Sequence, residues 1–66
     1  MSEERNKILL AETEAAIEEA TIRLLSLRHR AAVLRVVLGE PGASEAATAI
    51  RAEFGAALDA RHRRAA

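Results

Sequence analysis

An all-α fold, a two-helix antiparallel hairpin with a long first helix and a shorter second, is predicted by three observations. Alanine supplies 16 of the 33 hydrophobic residues and Phe54 is the sole aromatic, a composition that favours helix over strand. Glycine and proline are confined to Gly39, Pro41, Gly42 and Gly55, so the chain has one clear break, LGEPGAS. Apolar residues on either side of that break recur at helical rather than strand spacing.

The first helix is expected over residues 3–38. Ser2 is a good N-cap, and Glu3 and Glu4 suit the positive end of the helix dipole. Gly39 suits the left-handed residue just past a helix end. Pro41 cannot continue a helix and pushes Glu40 out of helical geometry. The turn is expected over 39–43 and the second helix over 44–64, capped by Ser44 and ending in Arg61, Arg63 and Arg64. A connection this short makes its two helices antiparallel neighbours. The arms run about 54 Å and about 29 Å. The second helix should therefore cover only Thr21 to Leu38, leaving Ile8 to Ile17 without an intrachain partner.

Two apolar stripes run along the first helix. Leu10, Ile17, Leu24, Ala31 and Leu38 fall seven residues apart, with Thr13, Ala20, Leu27 and Leu34 at the matching offset. A second stripe holds Ile22, Leu25, His29, Val33 and Val36. The second helix offers one narrow stripe, of which Ile50, Phe54 and Leu58 are the large members, expected to pack within the chain. One thin helix cannot cover two stripes. The surplus must meet another chain or become an exposed patch. Leu10, Ile17, Leu24, Leu25, Leu27, Ala31, Val33, Leu34, Val36 and Leu38 are the expected interface between protomers. Arg23, Arg28, Arg30 and Arg35 flank the heptad stripe, where their stems cover apolar surface.

Sixty-six residues make one small domain, of a size that usually needs disulfides, metal or oligomerisation. Cysteine is lacking, so disulfides and thiolate metal sites are excluded. Ten acidic and ten basic side chains balance, and no field favours nucleic acid or membrane. Glu12, Glu14, Glu18 and Glu19 have no base among them, and Arg23, Arg28, Arg30 and Arg35 no acid. Two copies laid antiparallel would set the acidic half against the basic half.

No catalytic, cofactor or metal-binding residues are expected. His29 reads as a core or edge histidine, with a pH-sensitive interface as the sharper alternative, and His62 as a solvated one. The two lack ligand spacing. The acidic cluster reads as a solvated face. GEPG lacks the Gly-Lys-Ser/Thr ending of a phosphate loop. The RHRR tail has no aromatic stacking platform beside it. Thr13, Thr21, Ser26 and Thr48 are expected to bond back to the preceding turn, or else to fix register between helices. Gly55, unusual inside a helix, is expected to admit another backbone. MSEERNKILL is too charged for a signal peptide, so a soluble, cytoplasmic chain is expected.

The Ala, Glu, Arg and Leu composition, the single connector LGEPGAS, and caps that agree with the dipoles together resemble de novo designed helical-hairpin homo-oligomers. That resemblance implies a self-associating scaffold, a dimer or larger cyclic ring, without catalytic activity, nucleic acid, membrane or small-molecule ligand. The segment EAAIEEATIRLLSLRHRAA also resembles the helical docking segments at the starts of polyketide synthase subunits. This second likeness implies an adaptor that binds a different protein through the same surplus stripe.

Overall fold

The computed structural model describes residues 2–65. They form two helices, α1 (Ser2–Val37) and α2 (Ala43–Ala65), folded into an all-α hairpin with no strand among the described residues. The first helix ends one residue earlier than expected. The second starts one residue earlier and runs one residue longer. Ser2 is itself helical, and the residue before it lies outside the described range. Acidic residues occupy the first turns (Glu3, Glu4 and Glu45) and basic ones the last (Arg35; His62, Arg63 and Arg64), as the dipoles favour.

The connector is built from two left-handed glycines. Gly39 has φ +75°, and its N–H donates to the Val36 carbonyl at 3.0 Å while the Glu40 N–H donates to Arg35 at 3.1 Å. This crossed pair is the Schellman motif, which satisfies carbonyls left over at the helix end. The chain then turns at once. Pro41 supplies a preset φ, Gly42 has φ +73°, and the Ala43 N–H donates to the Glu40 carbonyl at 3.2 Å. Proline followed by a positive-φ glycine is the sequence a type II turn requires.

That second turn moves the helix start. The Ala46 N–H donates to the Gly42 carbonyl at 3.2 Å, so Gly42 holds the N-cap position expected of Ser44. Ser44 is already inside α2, and its carbonyl accepts from the Thr48 hydroxyl at 3.0 Å. Glycine can occupy a cap with little loss relative to serine, and here the turn needs its positive φ.

The hairpin is thin. Its buried apolar residues are Leu25, Ala32 and Ala43. Its extents are 57 × 20 × 12 Å. The radius of gyration is 16.4 Å, against about 10.8 Å for a compact domain of this length. Among the described residues, no helix is long and apolar enough to cross a membrane.

Candidate association surface

One apolar stripe of α1 is taken up by the hairpin itself. Ile22, Leu25, His29 and Ala32 lie three and four residues apart, and each is buried or half-buried. Ala43, Ala47, Ile50, Phe54 and Ala57 of α2 are buried or half-buried in turn. The His29 and Phe54 rings sit with centroids 6.2 Å apart at 36°. Leu58 lies at the margin, 38% exposed. Leu25, expected between protomers, is instead enclosed between the chain's own helices at 5% exposure. Val33 and Val36, expected in the same interface, lie at the edge of this seam with 41% and 39% of their surface open.

The heptad stripe is left free. Leu10, Ile17, Leu24, Leu27, Leu34 and Leu38 are exposed by 54% to 74%, and Ala31 is half-buried among them. Where the two run side by side, Leu24, Leu27, Ala31 and Leu34 each lie two residues from a position of the seam. At 100° per residue, the two faces are therefore about 160° apart on the helix. The packing of α2 against the seam therefore leaves the stripe more than half exposed. Of the thirteen large apolar residues from Ile8 to Leu38, eleven are exposed, and only Ile22 and Leu25 are not.

Charges divide between the two faces. Glu18 and Glu19, expected to stand on a solvated acidic face, reach across to the end of α2. Arg61 donates to the Glu19 carboxylate at 2.8 Å, and Arg64 pairs with Glu18. These contacts carry α2 about three residues further along α1 than expected, to Glu18. The signal lay in the antiparallel count. Residues paired across a hairpin have numbers that add to nearly the same total, since both helices rise 1.5 Å per residue. Counting outward from the turn brings Arg61 and Arg64 level with the two glutamates. Glu12, Glu14, Arg23, Arg28, Arg30 and Arg35 remain exposed, and none of them takes part in an interhelical ion pair among the described residues.

The hydroxyls follow the simpler expectation where hydrogen bonds are formed. Thr13 donates to the Leu9 carbonyl at 2.7 Å, and Thr48 donates to Ser44, each bonding back one turn. A β-carbon added at Gly55 would meet no atom within 4 Å, so no backbone of the same chain approaches it. Among the described residues, no three His, Asp or Glu side chains group as metal ligands do. An open groove lies where α2 ends, lined by Glu14, Ile17, Glu18, Thr21, Ile22, Ala57 and Arg64.

The chain matches no protein-family model, no curated protein and no solved structure.

Proposed function

We propose that this chain is a self-associating helical scaffold, and that its working surface is the free heptad stripe of α1. The observation that carries the reading is the stripe itself: six leucine and isoleucine side chains in heptad register, from Leu10 of α1 to Leu38 just past its end, more than half exposed, with α2 packed on another face of the same helix. Isolated apolar residues on a surface need no explanation, but a contiguous stripe of them does. The wider area balance supports it. The chain exposes 5556 Å², against about 4,080 Å² for a compact monomer of its mass. It hides only about 46% of its unfolded surface, where a domain of this size hides about 60%. The excess exceeds the roughly 800 Å² per partner that a standard stable interface covers. The role is structural, with no catalytic step, and the resemblance to designed hairpin oligomers accords with it.

Ile17 gives the sharpest test. It is 59% exposed in the single chain, so Ile17→Asp changes a monomer's stability by only about 0.5 kcal/mol. In an interface between protomers, the same change removes roughly 1.5–3 kcal/mol of burial and places a carboxylate in an apolar seam beside Glu14 and Glu18. The expected result is that Ile17→Asp dissociates the oligomer and lowers helicity, while Ala15→Asp does neither. Light scattering with circular dichroism reads both. A wild-type chain that stays monomeric at micromolar concentration would favour docking to a different protein.

A further inference from the structure

Resting on the self-association just proposed, we infer that the occupant of the free stripe is a second copy of this chain laid antiparallel, with the acidic arm of each α1 against the basic arm of its partner. The charges beside the stripe select this orientation. Taking the stripe as the core seam of a coiled coil, Glu14, Arg28 and Arg35 occupy one flank and Arg23 and Arg30 the other. In a parallel pair, opposite flanks meet five residues apart. Arg23 then faces Arg28 of the second copy, and Arg30 faces Arg35. With two-fold symmetry that makes four like-charge contacts and no opposite-charge one.

An antiparallel pair sets like flanks together. Glu14 then meets Arg35 when Leu24 packs on Leu27, or Arg28 when Ile17 packs on Leu27. Either register forms two opposite-charge contacts and leaves fewer like-charge ones than the parallel pair. Exposed pairs of this kind contribute little affinity but choose between orientations that bury the same stripe. The hairpin leaves Glu14 as the acid of this choice. Glu18 and Glu19 are engaged by Arg64 and Arg61 of their own chain, and Glu14 remains exposed beside the stripe, outside both of those ion pairs. Because α2 sits about 160° from the stripe, neither orientation makes it collide with the second copy.

Distance measurement between spin labels decides the matter, and a cysteine-free chain makes each label site unique. Ser26→Cys lies near the middle of the stripe, and Ile8→Cys near its start on the outward side. In an antiparallel pair, the two Ser26 labels lie within about 25 Å and the two Ile8 labels about 40–55 Å apart, from the 1.5 Å rise per residue. That combination is the expected result. Short distances at both sites overturn the antiparallel arrangement and leave self-association standing. A monomer by light scattering, with no dipolar signal at either site, overturns both. Glu14→Arg provides a second readout. It raises the dissociation constant roughly threefold to tenfold in the antiparallel pair. In a parallel pair, where Glu14 faces Leu9, it leaves the constant unchanged.

Discussion

Leu24 and Leu25 are adjacent in the sequence and have opposite fates. Leu25 is 5% exposed between the two helices, whereas Leu24 is 56% exposed on the stripe. One residue is 100° of rotation on a helix, enough to carry a side chain from a covered face to an open one. Leu25→Ala is therefore expected to cost the hairpin about 2–3 kcal/mol, near the low end for a buried leucine because so thin a structure collapses around the gap. Leu24→Ala is expected to change the isolated chain by under about 0.5 kcal/mol and to weaken association instead. Urea unfolding at low and high protein concentration separates the two. Equal effects of both variants in the dilute chain would show that the two leucines share one environment.

At the scale of the elements, the connector and α2 contain glycines of two kinds. Gly39 and Gly42 have φ near +75°, and a side chain there is strained whatever the space around it. Gly55 is helical with open space where a β-carbon would stand. The expected signs are therefore opposite. Gly39→Ala costs about 1–2 kcal/mol through left-handed strain. Gly55→Ala gains up to about 1 kcal/mol from helix propensity, since nothing in the chain needs the missing methyl group. Thermal melting of the two variants checks both. A loss at Gly55 would place another chain's backbone against it. Gly39 and Pro41 were legible as a helix stop because each has a local steric cause. The cap was not: Ser44 is the better capping residue by chemistry, but the type II turn delivers the chain into helix at Ala43, before the serine is reached.

Across the whole molecule, the hairpin carries its apolar residues mostly on the outside. Three buried residues among those described make a slight core, and the small-domain rule places such a chain at the margin of stability on its own. If association completes the core, stability becomes a function of concentration. The melting temperature of the chain is expected to rise by roughly 5 °C for each tenfold increase in protein, given the unfolding entropy of two chains this long. A midpoint that stays constant from micromolar to millimolar would mean the hairpin stands alone despite its open stripe. Concentration-dependent melting with Ile17→Asp insensitive to it would move the contact elsewhere on the molecule.

Helix, break and stripe were determined by the sequence alone, because each is a local or periodic property: Ala-rich composition, a Gly-Glu-Pro-Gly connector, and apolar residues in heptad register from Leu10 to Leu38. What only the tertiary structure decided was which stripe α2 would take. Both stripes of α1 have the same period, and periodicity cannot choose between them. Packing does. The face of α2 is largely alanine, at Ala43, Ala47 and Ala57, with Ile50 and Phe54 between. It fits closely against the α1 face that contains Ala32 and His29, with Leu25 enclosed between the helices and Arg61 and Arg64 closing on Glu19 and Glu18 at the far end. Small residues allow backbones to approach, and the bulky stripe of Leu10, Ile17, Leu24, Leu27 and Leu34 is left more than half exposed, with Ile17 alone bordering the groove at the end of α2.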